Sequence, residues 1–381
     1  MQITQIVGQL PPAIGGVGDY CYQLWRHWPD STGQWTFLVT ESAEASQHHW
    51  PEVQIQPFGT TETDLLFALE KVDARLVVLQ YVGYAFHPGG YPLWLSRALA
   101  HWKSLRSDHR LLVMFHELAP DKPIWQRAFW TRRYAQKVVD ELLELADGWI
   151  TSCPGYFLQL AKRSNRGLLV PVGANILPDR PVDFERPWPL AQGKKLRLVI
   201  FGLALTRLWS LGRHAALLKK LCAQGWVESI TLTGQGQLPE RYAGQLRQLQ
   251  TEIAPPALWQ EKYDLEAADL SPILSAQDLG FVGNECELLT KSGSFAALSA
   301  HGVLTVATVK NPGLYLAQAG LREAVLLNDR KLTALLEQLS DPAVIAAKQR
   351  SLRQFYEKQL RWQAIVGGWQ QQIQRLQPGD D

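Results

Sequence analysis

Thr290-Lys-Ser-Gly-Ser-Phe-Ala-Ala-Leu-Ser-Ala-His-Gly302, followed directly by Val303-Leu-Thr-Val-Ala-Thr308, is the stretch from which the rest of the chain can be read. Small and hydroxyl residues open a helix, Ala296 to Ala300 carry it, and Gly302 can end it. The β-branched run behind it predicts a buried parallel strand. A helix start with free backbone N–H groups and Lys291 beside it suits an anion. The same residues also make an ordinary cap, since serine is a preferred N-cap residue. The flanking chain decides between the two.

On either side of this unit the pattern repeats. Leu196–Phe201, Ser229–Thr233, Leu279–Val282 and Ala324–Asn328 read as strands around it. Ile3–Val7, Trp35–Thr40, Leu76–Tyr81, Leu111–Phe115, Trp149–Ser152 and Leu168–Val172 read as an earlier series. Helical patterns lie between them, so β-α-β units and parallel sheets covered on both faces are expected. The stretch from Pro178 to Lys195 is too rich in proline for either regular element. The expected organisation is therefore α/β: a Rossmann-like domain over 1–180, a linker over 181–195, a second Rossmann-like domain over 196–350 and C-terminal helices over 351–381. Open sheets of this kind take ligands at the carboxyl ends of their strands, which predicts a site between the two domains.

Composition narrows the function. A chain of 381 residues accommodates two such domains, and 46% hydrophobic with 19% charged residues is ordinary for a globular protein. The formal net charge of +2 gives no drive toward nucleic acid. Cys21, Cys153, Cys222 and Cys286 are scattered without a C-x-x-C pair, which argues against a zinc site or a disulfide framework and fits a reducing cytoplasm. No signal peptide and no membrane-spanning run is visible. The 15 Trp beside only 2 Met stand out, because Trp serves cores but also sugar-binding and membrane-interface surfaces.

Several strand ends carry chemistry. Gly8-Gln-Leu-Pro-Pro-Ala-Ile-Gly-Gly-Val-Gly-Asp-Tyr20 follows the first strand, and a helix is expected from Cys21 to Trp28. Gly15, Gly16 and Gly18 permit positive φ and close approach to a phosphate or sugar, although the spacing is not that of a dinucleotide fingerprint and a plain turn is the alternative. His116 and Glu117 end another strand, where such a pair can bind hydroxyls or exchange protons; a structural histidine is the alternative. His87 lies on the same expected rim as an acceptor-side candidate. Trp125 to Lys137 mixes Arg127, Arg132 and Arg133 with aromatics, which suits an anionic lipid or acceptor as well as a solvated helix face. Gly202 with Arg207 suits a diphosphate, and Gly234 a base or ribose.

Taken together, these stretches resemble the retaining GT-B glycosyltransferases of the glycogen-synthase-like superfamily, glycosyltransferase family four. Gly15–Tyr20 is similar to the family's N-terminal glycine loop, Ala146–Tyr156 to a strand of its first domain, and Val170–Asn175 to the turn ending that domain. Phe201-Gly202, Thr233–Gly236 and Gln359–Ile365 are similar to second-domain and late-helix motifs. The resemblance implies two Rossmann-like domains facing a central cleft, with the last helix crossing back to the first domain. It departs from the family at its paired glutamates, whose places are taken by Leu289 and Ala297. Leu203 stands at the first of the family's two basic places, and Arg207 falls one residue early for the second. Lys291, Ser292, Gly293 and Ser294 resemble a variant in which hydroxyls and N–H groups hold the diphosphate, with Glu285 or Glu287 available to the ribose.

The resemblance implies transfer of a sugar from a UDP- or GDP-linked donor to a hydroxyl of a saccharide or lipid-linked acceptor, with retention. His116, Glu117, Arg207 and Lys291 would be the catalytic groups, and His116 would contact the donor sugar. No D-x-D occurs in the sequence, so no metal and no cofactor beyond the nucleotide-sugar substrate is expected. A cytoplasmic location, with contact to the inner membrane face through 125–137, and no nucleic-acid partner complete the expectation. The alternatives are a non-catalytic nucleotide-sugar-binding protein and a sugar-nucleotide epimerase of the same fold.

Overall fold

The computed structural model describes residues 2–13, 15–29, 34–40, 53–119, 127–309, 319–329 and 331–376. The contacts divide the chain into two compact units, residues 1–171 with 365–381, and residues 172–364. The first unit is built on a parallel sheet of seven strands: β1 (Gln2–Val7), β2 (Gln34–Val39), β3 (Val53–Pro57), β4 (Leu76–Tyr81), β5 (Arg110–Phe115), β6 (Gly148–Thr151) and β7 (Gly167–Leu169), in the order 3-2-1-4-5-6-7. The second has six: β8 (Leu196–Phe201), β9 (Val227–Gly234), β10 (Trp259–Tyr263), β11 (Leu279–Glu285), β12 (Leu304–Thr308) and β13 (Val325–Asn328), in the order 10-9-8-11-12-13. Both orders reverse after the first strand of their unit, between β1 and β4 and between β8 and β11. That reversal opens a crevice at the carboxyl ends of the strands, where doubly wound sheets bind ligands.

The central strands are legible because both faces are covered. Every residue of β4, Leu-Val-Val-Leu-Gln-Tyr, is buried, so it reads as a continuous apolar run rather than an alternation. The two strands that the sequence did not reveal are β3 and β10, one at the edge of each sheet. Val-Gln-Ile-Gln-Pro and Trp-Gln-Glu-Lys-Tyr are polar at alternate or successive positions and contain no fully buried residue. An edge strand faces solvent along one side, and there the hydrophobic signal fades.

The Pro-rich stretch packs on the second unit. Trp188 is 6% exposed and donates its indole N–H to Leu339 O at 2.8 Å, while Gln349 donates to Arg186 O at 3.0 Å. The helix Pro342–Phe355 stays with the same core, to which Ile345, Leu352 and Phe355 contribute. The return to the first unit begins at residue 365, fourteen residues later than the start of the expected C-terminal segment at 351. There the helix Trp362–Gln374 is tied down by Trp369 Nε1 to Tyr20 Oη at 2.6 Å and by Gln372 Nε2 to Arg166 O at 2.6 Å. The crossing-back helix that the resemblance implied is present.

Candidate functional site

In the second unit the ends of β8 and β9 meet through two glycines. Gly202 follows β8 with φ of +152°, and Gly234 ends β9 with φ of +124°. A side chain at Gly234 would overlap the Gly202 carbonyl, so the close approach of the two segments requires glycine there. A Cβ at Gly202 would stand 3.1 Å from Ser294 Oγ, which places the third element, the helix Gly293–Ala300, against the same corner. Gly202, Gly234 and Ser294 are thus brought together.

Arg207 is engaged by main-chain carbonyls of the glycine loops. The side chain is buried; Nη1 donates to Gly202 O at 2.6 Å and Gln235 O at 3.0 Å, and Nη2 donates to Gly236 O at 2.5 Å. The guanidinium carbon lies 4.4 Å from the centroid of the Tyr263 ring, within cation–π reach. Burial pulls its pKa below the usual arginine value, opposed by Tyr263, Asp264 and Glu261. Asp264, at φ of +56°, braces the same loop by accepting from Gly236 N at 2.6 Å. Beside these groups lies a cavity of about 500 Å³ lined by Ala204, Arg207, Gln237, Arg247, Glu261 and Tyr263.

The stretch Thr290–Gly302 folds as its sequence predicts. Ser292 is the N-cap, its side chain accepting from Phe295 N at 3.2 Å, and Gly302 at φ of +68° ends the helix. Geometry leaves the N–H groups of Gly293 and Ser294 without an intrahelical acceptor. Lys291, half-buried, closes the 3₁₀ turn Cys286–Lys291 just before them. Leu289 and Ala297 are buried in the apolar core of this unit. Glu285, at the end of β11, pairs with Arg213 at 3.1 Å, and Arg213 also donates to Gly283 O. Glu287 is buried inside the 3₁₀ turn. Behind β11, His214 holds the strand through Nε2 to Val282 O at 3.1 Å and Nδ1 to Asn328 Nδ2 at 3.2 Å. Burial lowers its pKa to about 4, so the ring is neutral and donates from Nε2.

The first unit presents its candidates separately. The helix after β1 starts at Gly16 and not at Cys21, so Gly16 and Gly18 lie in its first turn. Gly15 is extended at φ of −173°, and neither Gly16 nor Gly18 has positive φ, which corrects the conformational reason expected for these glycines. Gly18 is required because a Cβ would lie 2.7 Å from Gln9 O, whereas one at Gly16 would meet nothing within 4 Å. His116, directly after β5, is buried with Nε2 2.7 Å from Gln80 Oε1. Glu117 beside it is exposed. His87, after β4, accepts from Gly89 N at 3.0 Å through Nδ1 and rests against Tyr91 with ring centroids 4.3 Å apart. Gln80 and Tyr20, which meet His116, and Gln5 and Trp369 behind them were not among the expected site residues; Gln80 was a single polar residue within β4 before its final Tyr81.

Trp125 and Gln126 of the basic aromatic stretch lie outside the described residues. In the helix that follows, Arg127–Leu145, Trp130, Arg132 and Arg133 are exposed, Arg133 donates to Tyr134 Oη at 2.8 Å, and Lys137 pairs with Glu141 at 3.7 Å. No helix among the described residues is long and apolar enough to cross a membrane.

No protein-family model matches the chain, and no curated protein matches it. Solved structures do. Anabaena HepE in complex with UDP is similar over 98% of this chain and 100% of its own, at 13% identity and a TM-score of 0.65. WaaG, a glycosyltransferase involved in lipopolysaccharide biosynthesis, is similar over 97% and 98% at 11% identity and a TM-score of 0.63. An alpha-glucosyltransferase in complex with UDP-glucose and DNA containing an abasic site is similar over 98% of both chains at 12% identity and a TM-score of 0.58. With the two sheets described above, these likenesses establish the fold class as that of the GT-B glycosyltransferases.

Proposed function

We propose that the chain is a glycosyltransferase that moves a sugar from a UDP- or GDP-linked donor to a hydroxyl of a saccharide or lipid-linked acceptor, with retention at the anomeric carbon. The bond from C1 to the diphosphate oxygen breaks, a bond from C1 to the acceptor oxygen forms on the same face, and the acceptor proton passes to the departing diphosphate. The observation that carries this reading is the corner where Gly202, Gly234 and Ser294 converge beside the N-terminus of Gly293–Ala300. Main chain without side chains, two N–H groups pointing out of a helix and Lys291 together suit a diphosphate. Similar structures that hold UDP or UDP-glucose support it.

In this reading Lys291, Ser294 and the N–H groups of Gly293 and Ser294 meet the departing diphosphate, and Arg207 acts by holding the glycine loops in shape. Charge-assisted hydrogen bonds of this kind contribute about 1.5–3 kcal/mol each, so three of them supply only part of an enzymatic acceleration. Positioning supplies the rest. The cavity next to Arg207 takes the nucleoside in this reading, and Glu285, at the end of β11 and paired with Arg213, is the candidate for its ribose. His116 contacts the donor sugar with Glu117 as a second catalytic group, Gly15, Gly16 and Gly18 approach the donor, and His87 lies on the acceptor side. No metal or cofactor has a part in this scheme. Contact with an anionic membrane surface through Trp130, Arg132 and Arg133 is a subsidiary proposal, supported by their exposure.

The experiment is donor-dependent release of UDP or GDP by the purified protein, compared with a Lys291→Ala, Ser294→Ala pair. Loss of turnover with the fold retained supports the assignment, and unchanged turnover sinks it. A second reading, nucleotide-sugar binding without transfer, is favoured by the burial of Leu289 and Ala297 where the resembling family carries carboxylates. Tight binding of UDP or GDP with no turnover of any donor would select that reading, and isomerised donor or free sugar without acceptor would select an epimerase. A saccharide acceptor fits the near-neutral net charge of +2 better than DNA, and a duplex oligonucleotide in the acceptor panel checks it.

A further inference from the structure

Three neighbouring strands place a row of polar side chains across the point where the first sheet reverses order. Gln5 on β1 and Gln80 on β4 are fully buried, and His116 follows β5. Gln80 Nε2 donates to Gln5 Oε1 at 2.8 Å, and Gln80 Oε1 stands 2.7 Å from His116 Nε2. On its other side the His116 ring meets Tyr20 edge to face, with centroids 5.6 Å apart and planes at 80°. The Tyr20 hydroxyl accepts from Trp369 Nε1 at 2.6 Å, and Trp369 belongs to the returning C-terminal helix.

Two glutamines in the middle of a parallel sheet do not serve stability. Gln5 Nε2 is buried and has no hydrogen-bond partner among the described residues, a cost that an apolar pair would not carry. What the row does is impose a direction. With the Gln80 amide nitrogen turned to Gln5, its carbonyl faces His116, and only a ring protonated at Nε2 can meet a carbonyl there. We propose that Gln80, backed by Gln5, is a positioning residue that fixes His116 as the Nε2–H tautomer with Nδ1 as acceptor, and that Tyr20 and Trp369 set the tilt of that ring. The C-terminal helix is thereby linked to the histidine. The kinetic part of this inference rests on His116 contacting the donor sugar; the tautomer does not.

The test uses the full chain with ¹⁵N-labelled histidine, the His116 signals being assigned by their loss in His116→Ala. The wild type should show the proton on Nε2. Gln80→Met, similar in length but without an acceptor, should redistribute it between the two nitrogens, and Gln80→Glu should restore it to Nε2. With donor present, Gln80→Met should lower kcat about ten-fold at little changed KM, equivalent to one hydrogen bond. Should Gln80→Met not fold, Tyr20→Phe, which removes only a hydroxyl, should shift the same ring signals from the other end. A wild-type proton on Nδ1, which reverses the polarity of the whole row, overturns the inference. So do unaltered His116 signals in Gln80→Met, whereas an altered tautomer with unchanged kcat overturns the kinetic part alone. Full turnover in His116→Ala would instead count against the role given to His116 in the proposed function and leave the tautomer result standing.

Discussion

The two units share a strand order, yet their polar edges are made of different material. In the second unit the edge is main chain: Gly202 and Gly234 are buried against each other with Gly236 beside them, and Arg207 donates to the carbonyls of Gly202, Gln235 and Gly236. In the first it is side chain: His116 stands on buried glutamines, and Glu117 is exposed beside it. A surface of peptide groups suits a ligand with one constant, charged part, because main chain offers N–H groups in fixed directions. A surface of side chains can be changed one residue at a time. On this comparison, substitutions in the glycine and arginine framework of the second unit should act first on stability and those around His116 first on turnover.

The largest effect is expected at Gly234. An added Cβ at φ of +124° overlaps the Gly202 carbonyl. Gly234→Ala should destabilise the second unit by about 3 kcal/mol or more in denaturant unfolding, with loss of nucleotide binding. A change of less than about 1 kcal/mol would show that the two segments are not pinned together. Arg207→Met comes next, since it leaves the carbonyls of Gly202, Gln235 and Gly236 without their donor. A loss of about 2–3 kcal/mol and weakened UDP or GDP binding are expected. Binding lost at full stability would instead return Arg207 to the role of phosphate ligand.

His214 gives the same unit a pH dependence. Its pKa falls from 6.5 to about 4 in the folded protein through burial. Above pH 6.5 both folded and unfolded rings are neutral and the stability is complete. Below it the unfolded ring takes up a proton that the folded one refuses, so stability falls until about pH 4, by about 3 kcal/mol in all. Unfolding curves at several pH values check this against His214→Gln, which should flatten that part of the profile.

The two serines of the helix start should separate. Ser292→Ala removes the cap to Phe295 N and should cost about 1 kcal/mol with nucleotide affinity nearly unchanged. Ser294→Ala should do the reverse. The smallest effect belongs to the first unit: Gly16→Ala, in a first helical turn with nothing within 4 Å of the new Cβ, should stabilise by about 0.5–1 kcal/mol while lowering turnover. Unchanged turnover there would remove that segment from the site.

Much of the candidate site was legible because it is made of glycine and small residues at strand ends, and these leave a mark in the text of the chain. Gly202, Gly234 and Ser294 were singled out from order alone, and they meet. Arg207 was found but its direction was not, since a sequence does not say whether a guanidinium turns outward to a phosphate or inward to carbonyls. The edge strands β3 and β10 were invisible for want of burial. Gln5 and Gln80 passed unremarked because a polar residue within a strand does not show what it pairs with, and their meaning lies in a pairing between residues 75 positions apart.

By itself the sequence determined the two doubly wound units, because hydrophobic periodicity and turn residues are local properties set by burial and backbone sterics. It also determined the helix of Thr290–Gly302 with its cap and its stop, for the same reason. Only the tertiary structure decided which partners each polar group meets. Arg207, Glu285 and His116 each take their role from carbonyls, cations or amides contributed by other strands, and a hydrogen bond has a direction that no single segment of chain contains.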